Sequence, residues 1–220
     1  MLNGLRPTVT RVLTPLSRAL VRLHVTPDMV TLVGTLGVSA SALVFFPMGQ
    51  LFLGSVICTV FVLTDMLDGV LARVRGSSGP WGAFLDSTLD RVGDAALFSG
   101  LMAWYALGGH DRLMVVVALY CLIVGALVSY VKARAESVGL MLRGEGLVER
   151  PERILLTLVG SGLSGLGVPY VLPIGLWLVA VGSTITFWQR MMSVHRAATA
   201  DAGSDDDVHE VKVRASSRNR

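Results

Sequence analysis

The sequence predicts an all-α integral membrane protein with six transmembrane helices and an N-terminal amphipathic helix in the membrane interface. Of its 220 residues, 52% are hydrophobic and only 16% are charged, whereas a soluble domain carries about 25% charged residues. Apolar stretches long enough to cross a bilayer as helices recur along the chain. Lys and Arg collect between alternate stretches, as they do in the cytoplasmic loops of membrane proteins.

Residues 1–24 form the predicted interfacial helix. Apolar residues recur there at helical spacing from Leu2 to Leu23, while arginines occupy another face. A cleaved leader would instead have one uninterrupted apolar block followed by small residues at a cleavage site.

Six spans follow in a membrane domain that we assign to residues 25–196. The pair Thr26-Pro27 is a typical helix start and precedes the first span. The predicted spans are residues 29–46, 51–73, 84–107, 113–135, 152–166 and 168–192. Residues 197–220 are rich in Ala, Asp, Ser and Arg, and we expect them to form a disordered cytoplasmic tail.

The positions of the cations predict the orientation. With both termini cytoplasmic, all of the 19 Lys and Arg residues except Arg112 fall on the inner side. The outer turns near Gly49 and Gly167 carry no charge. We therefore expect a multi-pass protein of the cell membrane whose chemistry lies at the cytoplasmic ends of its helices.

Other classes of function are disfavoured by composition. The net charge of +3 could suggest nucleic-acid binding, but no basic stripe with interleaved aromatic residues is present, so we expect no nucleic-acid partner. Cys58 and Cys121 lie inside apolar runs and match neither a disulfide framework nor a zinc pattern.

Acidic residues cluster where the second span ends and the third begins. Asp65 and Asp68 are three residues apart, and Asp86 and Asp90 are four apart, so each pair shares one helix face. Asp94 follows one turn later. Acidic residues inside spanning helices are costly and usually functional. The alternative for each aspartate is a purely structural ion pair with a neighbouring arginine, such as Arg73 or Arg91.

Two helices joined by a short loop are expected to be antiparallel neighbours, which would bring these carboxylates together. Converging negative charges in a low dielectric repel one another unless a cation neutralises them. Hard divalent cations prefer oxygen ligands, and Mg²⁺ commonly combines carboxylates with phosphate oxygens of a substrate. The pattern therefore predicts a divalent-metal site, with room for two ions sharing the four groups.

Gly69 and Arg73 stand beside this cluster. Gly69 would let a phosphate or sugar approach the helix backbone, although close helix packing is the common role of glycine in membranes. Arg73 could reach a diphosphate as a cationic fork.

The pattern Asp65-x-x-Asp68-Gly69-x-x-Ala72-Arg73, followed by Gly82-x-x-x-Asp86-x-x-x-Asp90, resembles the signature of the CDP-alcohol phosphotransferase family at every fixed position. The likeness covers nearly the whole chain except the tail. It implies a phospholipid-synthesis enzyme that moves a phosphatidyl group from CDP-diacylglycerol onto an alcohol and releases CMP. It also implies a homodimer within membrane lipids.

The same resemblance assigns roles to single residues. Asp65, Asp68 and Asp86 would ligate metal, and Asp90 would complete a two-ion site and act as the general base. The ions would be Mg²⁺, with Mn²⁺ as the alternative. The remaining matches are to contacts with the CDP moiety, and they are Asp28, Thr31, Gly69, Arg73 and Gly79. The family usually has Asn where this chain has Asp28, although Asp can still accept from the cytosine amino group.

Cations at the inner ends of the last three spans indicate the chemistry of the acceptor alcohol. Such a cluster suits an acceptor that bears a phosphate, although a positive-inside loop solvated by lipid headgroups is the alternative. These segments are similar to those of phosphatidylinositol phosphate synthases, which implies inositol phosphate as the acceptor. The residues that would hold its phosphate are Lys132, Arg153 and Arg190, with Arg134 as a weaker candidate.

Two other functions stay open at this level. Phosphatidylglycerophosphate synthase is the alternative within the family, since glycerol 3-phosphate also needs cations. An ion or proton transporter is the distant alternative, but transporters often place their sites near the midplane between pseudo-symmetric halves, whereas these acids lie in one helix pair towards the inner face.

Overall fold

The structure, a computed structural model, describes the backbone of residues 25–75, 79–140 and 146–218. Inside the helices, the side chains of residues 65–68, 70, 72–75 and 200–218 fall outside that description. The interfacial helix predicted over residues 1–24 also lies outside the described residues and stays a prediction.

The described residues form six α-helices, one for each predicted span, and the all-α membrane fold is confirmed. A π-helical turn, Tyr105–Gly109, continues the third helix. The helices are α1 (Pro27–Phe45), α2 (Leu51–Arg75), α3 (Pro80–Trp104), α4 (Arg112–Ser137), α5 (Arg150–Gly165) and α6 (Val171–Arg218).

Local sequence explains where two of these helices begin. The Thr26 side chain accepts a hydrogen bond from the Met29 amide at 3.3 Å and caps α1, with Pro27 in the first turn. Asp111 caps α4 in the same way, accepting from the Met114 amide at 3.1 Å. The helix start predicted at Thr26-Pro27 agrees with this geometry.

Within the described part of the chain, three helices are long and apolar enough to cross a membrane: Pro27–Phe45, Arg112–Ser137 and the Val171–Thr199 portion of α6. In α2 the apolar stretch within the described side chains is Leu51–Thr64, and Asp65 follows it in the sequence. The six-span count therefore stays a prediction, since α2 and α3 carry acidic residues and α5 has only 16 residues.

The six described helices pack as a ring in which each has two principal neighbours. α1 packs against both α2 and α3, and α6 packs against both α4 and α5. The α2–α5 and α3–α4 contacts join the two groups. A Cβ at Gly100 of α3 would overlap the carbonyl oxygen of Ala42 in α1, so these two backbones cross closely. The helices that carry the predicted site are thus fixed by a third, α1.

The C-terminal segment differs from its prediction. α6 continues as helix to Arg218, whereas the sequence predicts disorder over residues 197–220. The segment contains no proline, and its alanines and its Glu, Lys and Arg residues are compatible with helix. The domain boundary at residue 196 stays a prediction, because the helix runs through it.

Candidate active site

The signature residues occupy the end of α2 and the beginning of α3, which are joined by residues 76–79. Asp65 and Asp68 lie on α2, but their side chains are outside the described residues, as is that of Arg73. Among the described side chains, no three metal-ligating groups come together. Convergence of all four aspartates therefore stays a prediction.

Three aspartates follow one another on successive turns of α3, at decreasing exposure. The Asp86 side chain is exposed, that of Asp90 is 16% exposed and that of Asp94 is 9% exposed. The row therefore leads from the surface of the bundle into its interior. Only its inner two members meet described cations.

Asp90 is held by two arginines. Arg150, at the start of α5, places Nη1 2.7 Å from Asp90 Oδ1, and Arg91 places Nη2 3.6 Å from Oδ2. The ion pair with Arg91 that the sequence offered as an alternative is thus present. Arg150 was missed, because no local pattern links residues this far apart in the chain.

Asp94 binds two arginines of α5 with its two oxygens. Arg150 Nε donates to Asp94 Oδ1 at 3.1 Å, and Arg153 Nη2 donates to Oδ2 at 3.4 Å. Arg153 is only 1% exposed, and its Nη1 donates to the Gly125 carbonyl oxygen at 3.3 Å. The Arg153 Nε has no hydrogen-bond partner among the described residues, so one buried donor remains for a ligand or water.

The predicted acceptor cations lie along one side of α4. Arg153 reaches the carbonyl of Gly125, and Arg190 reaches that of Val128, where Nη1 donates at 2.7 Å. Lys132 is exposed one turn further on. Positions 125, 128 and 132 share a helix face, so the two arginines contact the face of α4 that also carries Lys132.

Arg190 and Arg134 differ in their surroundings. Arg190 is 7% exposed, and its Nη2 also lies 3.4 Å from Glu149 Oε1. Arg134 is exposed and donates from Nη1 to Ser137 Oγ at 3.3 Å. Arg134, like Lys132, is exposed, and its role stays a prediction.

Of the predicted CDP-contacting residues, Asp28 and Thr31 lie at the beginning of α1, Gly69 and Arg73 lie near the end of α2, and Gly79 directly precedes α3. Asp28 Oδ2 accepts from the Trp81 indole N–H at 3.0 Å. Thr31 is buried, and its hydroxyl donates to the Pro27 carbonyl at 3.1 Å. Trp81 was missed by sequence reasoning, although an exposed aromatic residue next to the signature glycine Gly82 could have signalled it.

Gly69 and Gly79 border open space. A Cβ added at either glycine would meet no described atom within 4 Å. Close helix packing, the alternative for Gly69, is therefore not what the described neighbours show. Neither glycine carries a Cβ that would keep a ligand from its backbone.

Comparison with known proteins agrees with the signature. The family model described as CDP-alcohol phosphatidyltransferase matches residues 24–188. The phosphatidylinositol phosphate synthase of Streptomyces avermitilis is 50% identical over 206 residues, covering 90% of this chain and 84% of the relative. The enzyme of that name from Mycobacterium tuberculosis is 47% identical over 193 residues, covering 86% and 88%.

Solved structures of the Mycobacterium tuberculosis enzyme share the fold. The crystal structure with CDP-DAG bound has a TM-score of 0.79 and 47% identity, covering 84% of this chain and 94% of that one. The complex with manganese and citrate also has a TM-score of 0.79 and 47% identity, covering 83% and 88%. The signature on α2 and α3, the matched length and the shared fold agree, and the chain belongs to the CDP-alcohol phosphatidyltransferase family.

Proposed function

We propose that this enzyme transfers the phosphatidyl group of CDP-diacylglycerol to inositol phosphate, giving phosphatidylinositol phosphate and CMP. The observation that carries the proposal is the near full-length similarity to enzymes named phosphatidylinositol phosphate synthase, at 47–50% identity. The three cations along α4 add physical support, because they suit an acceptor that carries its own phosphate.

The carboxylate set fits a divalent metal. Asp86 and Asp90 offer hard oxygen donors on one face of α3, and Asp65 and Asp68 occupy matching positions on α2. These four residues would hold Mg²⁺ or Mn²⁺, and two ions are proposed. The chemistry that the metal supplies when bound is screening of the diphosphate and stabilisation of the leaving CMP.

The donor substrate would be held by residues at the beginning of α1, near the end of α2 and directly before α3. Asp28 accepts from the cytosine amino group, and Thr31 lies one turn along the same helix. The open backbone at Gly69 and Gly79 lets the sugar and phosphates approach closely. Arg73 adds a cationic fork for the diphosphate.

The acceptor would enter from the side of α4, where Lys132, Arg153 and Arg190 hold its phosphate dianion. With its phosphate held there, the acceptor would present its hydroxyl towards α3. Asp90 takes the hydroxyl proton as the oxygen attacks the β-phosphate, the role of a general base within hydrogen-bond reach. The bond between the acceptor oxygen and the β-phosphorus forms as the bond between that phosphorus and CMP breaks, and no covalent enzyme intermediate is needed.

The cellular setting is part of the proposal. The segregation of Lys and Arg supports a cell-membrane enzyme with both termini and the active site cytoplasmic. A homodimer is proposed from the family resemblance.

An acceptor screen tests the proposal. Purified enzyme in lipid is given CDP-diacylglycerol and a divalent metal with inositol phosphate, glycerol 3-phosphate or free inositol, and CMP release is measured. We expect release with inositol phosphate only. Release with glycerol 3-phosphate alone would replace the proposal with phosphatidylglycerophosphate synthesis. Proton or ion flux into vesicles without CMP release would replace it with transport.

A further inference from the structure

A polar network crosses from α3 to α5 in the interior of the bundle. It runs from Asp90 through Arg150 and Asp94 to Arg153, with ion-pair distances of 2.7, 3.1 and 3.4 Å. Asp94 contacts both arginines of α5: Arg150 also holds Asp90, whereas Arg153 also binds the Gly125 carbonyl. The signature does not include Asp94.

We propose that Asp94 is a positioning residue. Its carboxylate fixes the position of the proposed base, Asp90, through Arg150, and it also fixes the position of Arg153, a proposed acceptor-phosphate cation. Its Oδ1 holds Arg150 against Asp90, and its Oδ2 holds Arg153 against α4. The proposal deepens the acceptor assignment made above and rests on it.

Burial supports this role over a general contribution to solubility. Asp94 is 6% exposed and Arg153 is 1% exposed, and buried charges persist in proteins when they are paired with good geometry. If Asp94 were removed, the buried guanidinium of Arg153 and the partly exposed one of Arg150 would lose a shared counter-ion. The position of each guanidinium would then depend on its remaining contacts.

Gly125 also helps to determine the position of Arg153, because its carbonyl accepts a hydrogen bond from that side chain. A Cβ there would lie 3.2 Å from Arg153 Cζ and 3.4 Å from its Nε. The shorter distance is tighter than ordinary contact, so a methyl group would shift the guanidinium by a few tenths of an ångström without removing any charge. Arg150, by contrast, is farther from Gly125 along the network and would keep its contact with Asp90.

The network therefore predicts two separable effects. Disturbing Arg150 changes the position of Asp90, and should lower kcat. Disturbing Arg153 changes the hold on the acceptor phosphate, and should raise the KM for inositol phosphate. Disturbing Asp94 should do both.

The test uses full-length enzyme in lipid with CDP-diacylglycerol, inositol phosphate and a divalent metal, and compares Asp94→Asn, Arg150→Lys and Gly125→Ala. Asp94→Asn is expected to lower kcat/KM for inositol phosphate by about 10- to 150-fold, through both constants. Arg150→Lys should lower kcat, and Gly125→Ala should raise KM. The KM for CDP-diacylglycerol should stay within about twofold in each variant.

Asp111→Ala is the matched control, because it removes a carboxylate that caps α4 and belongs to no part of the site. It should lower the Tm without changing either constant. If Asp94→Asn lowers the Tm like the control and leaves kcat and KM unchanged, the role of Asp94 is only structural and the proposal is overturned.

If Asp94→Asn does not fold, the other two variants decide. Separate effects of Arg150→Lys on kcat and of Gly125→Ala on KM support the network. Equal changes in the same constant, or no change, overturn it. Failure of the acceptor assignment is recognised independently, because the unaltered enzyme would then release no CMP with inositol phosphate.

Discussion

Trp81 donates its indole N–H to Asp28 at 3.0 Å and so joins the first turn of α3 to the first turn of α1. Asp28 stands where the family resemblance leads one to expect Asn. An Asn side chain brings its own N–H donors, whereas an aspartate only accepts. The indole therefore fixes one oxygen of Asp28, and the other is left to face the cytosine amino group proposed to bind there.

Trp81→Phe is expected to weaken the donor substrate selectively. The phenyl ring keeps an aromatic surface but cannot hold Asp28, so the KM for CDP-diacylglycerol should rise about two- to tenfold, the range for one hydrogen bond. The KM for inositol phosphate should not change. Trp177→Phe, at a half-exposed position on α6, is the control. Equal effects of both substitutions would show that Trp81 does not act through Asp28.

Metal removal and ligand substitution should give the same result. Chelation is expected to stop CMP release, and Mg²⁺ or Mn²⁺ should restore it. Asp68→Asn and Asp86→Asn keep the shape of each side chain but remove a ligand charge, so each should lower activity by roughly two orders of magnitude or more. Normal turnover in either variant, with the protein folded, would remove that residue from the proposed metal site.

Asp90→Asn separates proton transfer from substrate binding. Turnover should fall about 10²- to 10⁴-fold, which is the usual contribution of a general base. Equilibrium binding of CDP-diacylglycerol, measured with the same protein, should change little, because the other carboxylates and Arg73 remain. Since Asp90 is also a proposed ligand, its two roles are coupled. Binding lost in proportion to turnover would make it a ligand alone.

Lys132→Ala tests the acceptor-phosphate assignment with little risk to the fold, since the side chain is exposed. Losing a charge-assisted contact costs about 1.5–3 kcal/mol, so the KM for inositol phosphate should rise roughly 10- to 150-fold. Arg153→Ala and Arg190→Ala should raise it as well. Both would also lower the Tm, because they remove buried hydrogen bonds to α4.

Arg112→Ala is the control for these substitutions, because it lies at the opposite end of α4. It should leave both Michaelis constants unchanged. A normal KM for inositol phosphate in all three cation variants would reduce the cluster to a positive-inside loop, and free alcohols would have to be reconsidered as acceptors.

Gly100→Ala tests the close crossing of α1 and α3. The new methyl group would overlap the Ala42 carbonyl oxygen, and overpacking of this kind costs about 1–3 kcal/mol. The Tm should fall clearly. Gly108→Ala is the control, because a Cβ there would make only ordinary contacts at 3.8 Å. A similar Tm for the two variants would mean that the crossing tolerates more separation than the structure indicates.

The sequence was sufficient for the helices, because apolar length and the Thr26-Pro27 start are local signals. It also placed Asp86 and Asp90 on one face, since helical spacing alone decides that. It did not find Arg150 or Trp81, whose partners are 60 and 53 residues away in the chain. Nor did it predict that α1 packs against both α2 and α3, because periodicity says which face of a helix is apolar but not which helix covers it.

The packing of α1 with α2 and α3, and of α6 with α4 and α5, divides the proposed chemistry between two consecutive stretches of chain. Everything proposed for the nucleotide and the metal lies on α1–α3, and the proposed acceptor cations lie on α4–α6, with the Asp90 to Arg153 network spanning the seam. Such a division permits one half to diverge while the other is retained. New acceptor alcohols could arise by altering the second stretch alone, provided that its arginines still met the two aspartates of α3.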